Sequence, residues 1–433
     1  MIFMEDFERG LGMQYPESYT QMPVEMAVGA AGSEELAYQY GQSIAIEARD
    51  LGMNWLLHPV VDLNMNPLHS LVLERSISDD PDFALPLLKR QIDGLQSQNI
   101  ITTIKHFPGD GATIKDQHLM TSQNPLNWDD WQRSYGKVFK ELIAYNVPSI
   151  MVGHLTFPAY QKEKFKGDLL PASLSSELII KLLKGEMNFK GVVISDALNM
   201  GGAAGYYPNE LETSIASFAA GVDLMLWPDL AFMDTLEARI LRNEIPMKRL
   251  DDAVQRIWAV KEKFGLLEKP QNLFDQLTEK NKQFINQTAN KVADNAVTLI
   301  RGDKGYLPIR GFDVTLQYSL GYRDWNWRMD SLAHFDKIIA CFENKYFDPV
   351  GLPFLKGNEA ESVWTFNMLP PQKTICISYS NPYYLNFYFQ HIPVLINAYS
   401  SDRFIQKAVV KTLTGEIPFK GKSPVKLDHE ILK

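Results

Sequence analysis

Cysteines and long apolar runs are both scarce in this chain of 433 residues. Its two cysteines are Cys341 and Cys376, which excludes a framework of several disulfides and a metal site of closely spaced cysteines. No apolar run approaches the ~20 residues that a membrane-spanning helix needs. Residues 1–10 carry acids instead of the basic start and apolar stretch of an export signal. As the chain stands we expect a cytoplasmic protein, and a periplasmic or secreted one if a preceding segment is missing.

Positive charge is also in short supply. Lys and Arg together number 43 against 52 for Asp and Glu, and the formal net charge is −9. Nucleic acids and anionic membranes are bound through basic surfaces, so neither is an expected partner. Hydrophobic residues make up 45% and charged residues 22% of the chain. This balance is typical of a folded globular protein and not of a disordered one.

The first 265 residues alternate short apolar runs with longer segments of helical periodicity. The predicted strands are Ile2–Asp6, Trp55–Asp62, Ile101–His106, Ser149–His154, Val192–Asp196 and Val222–Trp227. They lie roughly forty residues apart, which leaves room for crossover helices and indicates parallel strands. The predicted helices are Glu34–Asp50, Asp82–Gln96, Asp129–Tyr145 and Ser176–Lys184. This alternation predicts an α/β fold.

Acids and histidines stand at the carboxyl ends of these strands, at Asp6, Asp62, His106, His154 and Asp196. In a (β/α)8 TIM-type barrel such ends converge on the face that carries the active site. A doubly wound open sheet would have one switch point, usually with a glycine-rich phosphate turn, and no G-x-G-x-x-G follows a strand here. We therefore predict a TIM barrel. Because two of its strands are not visible, it is either incomplete at the N-terminus or continued in weakly patterned segments.

The rest of the chain predicts a second, smaller α/β unit. Residues 266–283 are polar and contain Pro270, which indicates a linker between a barrel of residues 1–265 and a unit of residues 284–433. The elements expected after the linker are Phe284–Asp294, Ala296–Arg301, Val314–Tyr318, Ile338–Cys341, Thr374–Ser378, Pro393–Ala398 and Asp402–Leu413. This unit has no dense cluster of titratable groups, so we expect the chemistry in the first one.

The segment KHFPGDGATIKDQH, residues 105–118, runs from a strand end into a glycine-rich loop. Asp116 and His118 are two residues apart in it and can form a hydrogen bond. A carboxylate fixes the tautomer of its histidine and raises its basicity, so such a pair can transfer protons near neutral pH. The alternative interpretation is a solvated surface loop without chemistry.

Asp196 follows the apolar residues VVIS of a predicted strand. At a barrel mouth, facing the Asp–His pair, its carboxylate suits nucleophilic attack on the anomeric carbon of a sugar. The alternative is a helix N-cap at Asp196 or Ser195. Further donors for sugar hydroxyls and an acetamido carbonyl are Arg75, Lys105, His106 and His154. The histidines lack H-x-H or H-E-x-x-H spacing, which disfavours a metal hydrolase.

Together these segments resemble glycoside hydrolase family 3. LHPVVDLNMNP, ERSISDDP, KHFPGDG followed by DQH, IMVGH with FPA, and GVVISDALNM occur in the order and spacing of that family. The Asp-x-His loop resembles its β-N-acetylglucosaminidase branch. DFERGLGM resembles the early family segment D-x-E-x-G, and the end of the chain is similar to the family's α/β sandwich domain. The resemblance covers nearly the whole chain and implies a TIM barrel followed by that smaller sandwich.

The resemblance also implies roles for individual residues. Asp196 matches the catalytic nucleophile, and His118 matches the general acid/base with Asp116 as its partner. The substrate-binding positions that it implies are Asp6, Arg75, Lys105, His106 and His154. The implied reaction is exo-acting, retaining removal of terminal β-linked N-acetylglucosamine. It requires no metal or organic cofactor, and a carbohydrate substrate is the expected partner.

Two residues of the loop depart from the family pattern. Asp110 stands where the family usually has histidine, and Gln117 stands where it usually has serine. The longer N-terminal stretch of the family is also absent. Two other functions stay open beside hydrolysis. A histidine that has given up its proton is neutral and does not repel phosphate, which allows a phosphorylase. The departures allow a non-catalytic sugar-binding protein on a decayed barrel.

Overall fold

The structure, a computed structural model, describes residues 1–268, 277–302, 305–310, 315–319, 335–342, 369–383, 385 and 389–428. Within these ranges the chain folds into two main sheets with helices packed against them, which is an α/β fold. Of the sequence predictions, residues 269–276 of the linker and Val314 lie outside the described residues.

The first sheet has five parallel strands that follow one another in chain order. They are β1 (Met4–Glu5), β2 (Trp55–Leu56), β3 (Ile101–Phe107), β5 (Ser149–Val152) and β7 (Val192–Ser195). A short parallel pair beside them consists of β4 (Ser122–Gln123) and β6 (Leu155–Thr156). These five strands confirm the predicted positions and directions. The sixth predicted strand, Val222–Trp227, is reduced to one bridge between Leu224 and Ile194 of β7.

The middle strand, β3, is buried along its whole length. Parallel strands are covered on both faces, so polar side chains inside such a sheet need partners there. Thr103 supplies an example: its hydroxyl accepts a hydrogen bond from Trp55 Nε1 at 2.7 Å and lies 2.6 Å from the hydroxyl of Ser149. The sheet therefore tolerates polar residues where neighbouring strands satisfy them.

Helices follow the strands, and four of them, α2, α3, α4 and α6, begin at a side-chain cap. They are α1 (Glu25–Ala31), α2 (Glu34–Asp50), α3 (Pro81–Gln96), α4 (Trp128–Arg133), α5 (Tyr135–Ala144), a π-helix (Glu177–Glu186), α6 (Glu210–Ala220), α7 (Phe232–Leu241) and α8 (Met247–Lys263). Asp80, for example, accepts a hydrogen bond from the Asp82 N–H at 2.8 Å, and Pro81 occupies the first helical position of α3.

The single helix predicted over residues 129–145 is wrong, because α4 and α5 are separated at Ser134. The Ser134 hydroxyl donates to the Asp130 carbonyl at 2.7 Å, and its backbone leaves the helical region with ψ −101°. A serine side chain that competes for backbone partners is a common cause of such a break. The predicted helix Ser176–Lys184 is present as the π-helix.

The second sheet has the order β8-β12-β11-β10-β9, with β8 antiparallel to β12 and the other pairs parallel. Its strands are β8 (Thr298–Arg301), β9 (Thr315–Ser319), β10 (Lys337–Phe342), β11 (Thr374–Ser378) and β12 (Val394–Asn397). The helices α9 (Glu279–Ala296) and α10 (Arg403–Thr414) accompany it. Because α9 begins at Glu279, part of the predicted linker is helical, and the division of the chain into domains stays a prediction.

Residues near the C-terminus return to the loop that follows β2. The Ser78 hydroxyl donates to the Pro424 carbonyl at 2.6 Å, and the Lys426 N–H donates to Asp79 at 2.8 Å. The Tyr383 hydroxyl donates to the Asn64 carbonyl at 3.4 Å. The loop between Asn64 and Asp79, which contains Arg75, is thereby held from outside the first sheet. Among the described residues no helix is both long and apolar enough to cross a membrane.

Candidate active site

The carboxyl end of β7 presents Asp196, whose side chain is 15% exposed. One of its oxygens accepts a hydrogen bond from the Ala197 N–H at 2.8 Å, and the other lies 3.8 Å from His106 Nε2. Burial acts to raise the pKa of this carboxyl, but His106, the Ala197 N–H and Lys105 contribute to a combined effect that outweighs it, and the pKa is lowered. No helix begins at Asp196, since the next one is α6 at Glu210. Asp196 is therefore an ionised carboxylate at a strand end and not a helix cap.

His106 is held in place by Asp62, the acid that follows β2. Its Nδ1 lies 2.6 Å from Asp62 Oδ2, and its backbone N–H donates to both oxygens of that carboxylate at 3.2 Å. Burial acts to lower the pKa of the imidazole, but the Asp62 carboxylate outweighs it and the pKa is raised. His106 thus turns Nε2 toward Asp196, and its raised pKa favours the protonated imidazole.

Lys105 and Arg75 share a third carboxylate, Glu8, which the sequence analysis missed. Lys105 Nζ lies 2.7 Å from Glu8 Oε1 and 2.7 Å from Asp6 Oδ1. Arg75 donates to both Glu8 oxygens, at 2.8 and 2.6 Å. Burial acts to raise the pKa of Glu8, but Arg75 and Lys105 hold it well below its usual range. The three predicted residues Asp6, Arg75 and Lys105 therefore come together around Glu8, which forms ion pairs with both cations.

Two groups of this cluster, the Asp6 carboxylate and Arg75 Nη1, are available to a ligand. The side chain of Asp6 is 46% exposed although it pairs with Lys105. Arg75 Nη1 is buried and has no hydrogen-bond partner within the described part of the chain. A buried donor without a partner is costly, and a bound polar molecule would satisfy it.

Asp116 and His118 form the predicted pair. Asp116 Oδ1 lies 2.8 Å from His118 Nδ1 and also accepts the His118 backbone N–H at 2.9 Å. The Asp116 side chain is buried, whereas that of His118 is 48% exposed. Because Nδ1 is committed to the carboxylate, Nε2 is the nitrogen that can exchange a proton with a substrate.

Two backbone hydrogen bonds join this loop to the segment after Asp196. The N–H of Gly201 donates to the His118 carbonyl at 2.8 Å, and the N–H of Gly202 donates to the Gln117 carbonyl at 3.0 Å. Asp196 and His118 also both act on the pKa of His154, which burial, the largest cause, lowers. The loop that carries Asp116 and His118 is therefore joined by backbone hydrogen bonds to the segment that follows Asp196.

His154 has both ring nitrogens engaged within the protein. Nε2 donates to the Ala197 carbonyl at 2.9 Å, and Nδ1 lies 2.7 Å from the Ser173 hydroxyl. Nε2 therefore carries a proton, and the lowered pKa of His154 favours the neutral imidazole, in which Nδ1 accepts from the serine. His154 holds the backbone next to Asp196, and its predicted contact with a sugar stays a prediction.

Glu8 and Asp62 are the residues that sequence reasoning left out of the site. Asp62 carried a signal, because it stands at a strand end like the others. Glu8 carried a weaker one, two positions after Asp6 in a polar segment. Among the described residues, no group of three or more His, Cys, Asp or Glu side chains is arranged to hold a metal ion.

Comparisons with known proteins show which family the chain is related to. Residues 1–260 match the model of the glycosyl hydrolase family 3 N-terminal domain. A beta-N-acetylglucosaminidase/beta-glucosidase from Cellulomonas fimi is 29% identical, with 98% of this chain and 83% of that protein covered. Beta-hexosaminidase A from Pseudoalteromonas piscicida is 27% identical, with 83% of this chain and 63% of that protein covered.

Two solved structures are also similar to the chain. One is a family 3 beta-N-acetylglucosaminidase from Paenibacillus sp. str. FPU-7, with TM-score 0.82 and 25% identity over 99% of this chain and 86% of that one. The other is a beta-glucoside phosphorylase, with TM-score 0.86 and 26% identity over 99% of this chain and 84% of that one.

Proposed function

Because the chain belongs to glycoside hydrolase family 3 and is a glycoside hydrolase, we propose that it removes terminal β-linked N-acetylglucosamine with retention of configuration. The observation that carries this proposal is the Asp116–His118 pair at 2.8 Å, joined by backbone hydrogen bonds to the segment that follows Asp196. The similarity to proteins named for N-acetylglucosaminidase or hexosaminidase activity supports the choice of sugar.

In the first displacement, His118 Nε2 protonates the glycosidic oxygen while an Asp196 oxygen attacks the anomeric carbon. The bond from that carbon to the glycosidic oxygen breaks as the bond to Asp196 forms. The aglycone leaves as an alcohol with the proton from His118. The lowered pKa of Asp196 supports this role, because the attacking carboxylate is then ionised at neutral pH.

In the second displacement, water attacks the same carbon and His118 removes its proton. The ester bond to Asp196 breaks, the free β-configured sugar is released, and both side chains return to their starting states. Asp116 stabilises the charged imidazolium at each protonated stage and keeps Nε2 turned away from itself. General acid/base assistance of this kind contributes about 10²–10⁴-fold to the rate.

The cluster around Glu8 supports binding of the sugar. Asp6 is half-exposed and can accept from sugar hydroxyls, and the unpartnered Arg75 Nη1 can donate to a sugar oxygen. Lys105 is held in place between Asp6 and Glu8. We also propose that the parallel strands form part of a TIM barrel, and that the second sheet corresponds to the α/β sandwich.

A phosphorylase is the second candidate function. It is favoured by the similarity to the beta-glucoside phosphorylase and by an acid/base that is neutral after it donates its proton. Adding inorganic phosphate to the reaction separates the two candidates. Hydrolysis yields free N-acetylglucosamine at every phosphate concentration, whereas phosphorolysis yields the sugar 1-phosphate.

The nucleophile is tested with Asp196→Asn and an aryl β-N-acetylglucosaminide. We expect turnover to be abolished, and a slow 5-fluoro N-acetylglucosaminyl fluoride to add its sugar mass to the peptide that contains Asp196 in the wild-type protein. The matched control is Asp234→Asn, an exposed aspartate on α7, which should keep full activity. Retained activity in Asp196→Asn would remove Asp196 from this role. Ligand binding without turnover in the wild type would favour the non-catalytic alternative.

A further inference from the structure

Gln117 lies between the two residues of the acid/base pair and is completely buried, in contrast to half-exposed His118. Its side chain makes two hydrogen bonds, one to the segment that follows β5 and one to the start of its own loop. Oε1 accepts from the His154 backbone N–H at 2.7 Å, and Nε2 donates to Asp110 Oδ2 at 3.4 Å. Its backbone carbonyl accepts from the Gly202 N–H at 3.0 Å. Gln117 therefore connects the acid/base loop to the segments that follow β3, β5 and β7.

The direction of these hydrogen bonds is set by His69. His69 Nδ1 accepts from the backbone N–H groups of Leu71 and Val72 at 2.9 and 3.0 Å, so Nε2 must carry the proton. Nε2 then donates to Asp110 Oδ1 at 2.8 Å. The Asp110 carboxylate is thus an acceptor on both oxygens, and the amide nitrogen of Gln117 must face it. This leaves the Gln117 carbonyl oxygen for His154.

Asp110 also connects the loop to the residues around Asp196. Its backbone N–H donates to Asp62 Oδ1 at 2.7 Å, and the other oxygen of Asp62 holds His106 Nδ1 at 2.6 Å. His106 Nε2 in turn lies 3.8 Å from Asp196. Asp110 and Gln117 therefore stand between the acid/base pair and the histidine that faces the nucleophile.

Gln117 lies so close to Gly202 and Gly153 that a side chain at either glycine would collide with it. A Cβ on Gly202 would lie 2.4 Å from the Gln117 carbonyl oxygen, and a Cβ on Gly153 would lie 2.8 Å from Gln117 Oε1. Both distances are shorter than a Cβ can accept without movement of the backbone. The glycines thus allow the contact that Gln117 makes.

We infer that Gln117 is a positioning residue that, together with Asp110, holds the Asp116–His118 pair against the segment that follows Asp196. The inference rests on the proposed function, because the loop is then the source of the proton for the leaving group. A loosened loop lowers the rate of proton donation. It therefore penalises substrates with poor leaving groups more than those with good ones.

The experiment reverses the polarity of one hydrogen bond. Gln117→Glu places two carboxylates against each other, and Asp110→Asn places two amide nitrogens against each other. The double variant restores one donor and one acceptor, because the new amide at position 110 can donate to the new carboxylate at position 117 while its oxygen still accepts from His69. All of these side chains have nearly the same shape as those they replace. Gln123→Glu, an exposed glutamine in β4, is the matched control.

N,N′-diacetylchitobiose (called chitobiose here) is a substrate with a poor leaving group. For each single variant we expect its kcat/KM to fall by about 10²-fold, the low end of what acid/base catalysis contributes. For the 2,4-dinitrophenyl glycoside, which has a good leaving group, the fall in kcat/KM should be much smaller. The double variant should regain most of the loss with chitobiose. Equal losses on both substrates, or no recovery in the double variant, would overturn the inference.

Trypsin cleavage after Lys115 tests the loop without catalysis, because Lys115 is exposed in the same loop. Both single variants should be cleaved faster than the wild type, and the double variant and Gln123→Glu should not. Equal cleavage of all five proteins would contradict the positioning role. If the wild type turns over neither substrate, the proposed function fails, while the cleavage rates still decide whether Gln117 holds the loop.

Discussion

The two halves of the candidate site differ in how far their charged groups are exposed to water. On the binding side, Glu8, Lys105 and Arg75 are paired with one another and largely shielded from water. On the proton-transfer side, buried Asp116 supports a histidine whose side chain is 48% exposed. Charges that stay constant through a reaction can be buried and compensated, whereas a group that exchanges protons must remain accessible. The difference predicts that the two sides fail differently when they are altered.

The largest effect on activity should come from His118→Gly. Loss of the general acid should lower kcat/KM for chitobiose by about 10²–10⁴-fold and should affect a 2,4-dinitrophenyl glycoside much less. Because His118 is half-exposed, the free energy of unfolding should hardly change. Leaving-group kinetics and a urea titration measure the two quantities. Equal losses on both substrates would argue against acid catalysis by His118.

Glu8→Gln should do the reverse and reduce stability strongly. It removes the carboxylate that compensates Arg75 and Lys105, and breaking a buried ion pair in this way costs about 3–5 kcal/mol. Urea unfolding measures the loss, and Glu237→Gln on the exposed face of α7 is the control. The lowered pKa of Glu8 means that its contribution is complete above its ordinary value of 4.5 and is lost as the pH falls further. The difference between the two proteins should therefore shrink in acid.

A gradual effect, with the opposite dependence on pH, is expected at Glu25. Burial without a nearby cation raises the pKa of this carboxyl from 4.5 to about 8, and its neighbour His58 has a pKa lowered to about 3. The 3.3 Å contact between them is therefore not an ion pair at neutral pH. The folded protein keeps a proton that the unfolded chain releases, so this contribution to stability is complete below pH 4.5 and is lost toward pH 8.

Glu25→Gln places a neutral amide where the wild type has a protonated carboxyl, and it removes the dependence of stability on pH that Glu25 causes. Between pH 4.5 and 8 the unfolding free energy of the wild type should fall relative to that of the variant, by at most about 1.4 kcal/mol per pH unit. Urea titrations across this range measure the difference. Parallel pH profiles for the two proteins would show that Glu25 is ionised in the folded state, as Glu8 is.

The strands that carry the site could be predicted because their signal is local. The runs that became β3, β5 and β7 are apolar, and the helix α2 has the bounds Glu34–Asp50 that its periodicity predicted. The run Val222–Trp227 has the same pattern, but only Leu224 forms a bridge within the described residues. An apolar pattern predicts that a segment is buried. Whether the segment also pairs as a strand depends on the neighbouring strand, which the pattern does not show.

The partners within the site could not be predicted, because they are separated in sequence. Arg75 and Glu8 lie 67 residues apart, and His106 and Asp62 lie 44 apart. The pair at Asp116 and His118 was predictable because its members are two residues apart. Gln117 and Asp110 were visible only as departures from a family pattern. Their contact with each other depends on His69 and His154, which come from two other loops.

The hydrogen bond from Ser78 to Pro424 joins residues 346 positions apart, and both residues are buried there. It lies close in sequence to Arg75, whose orientation the proposed sugar site needs. The part of the chain that forms the first sheet consequently depends on residues near the C-terminus for the support of this loop. A chimera that kept the strands of the first sheet but exchanged the C-terminal segment would have to reproduce this surface, or the arginine loop would lose its support in the recombined protein.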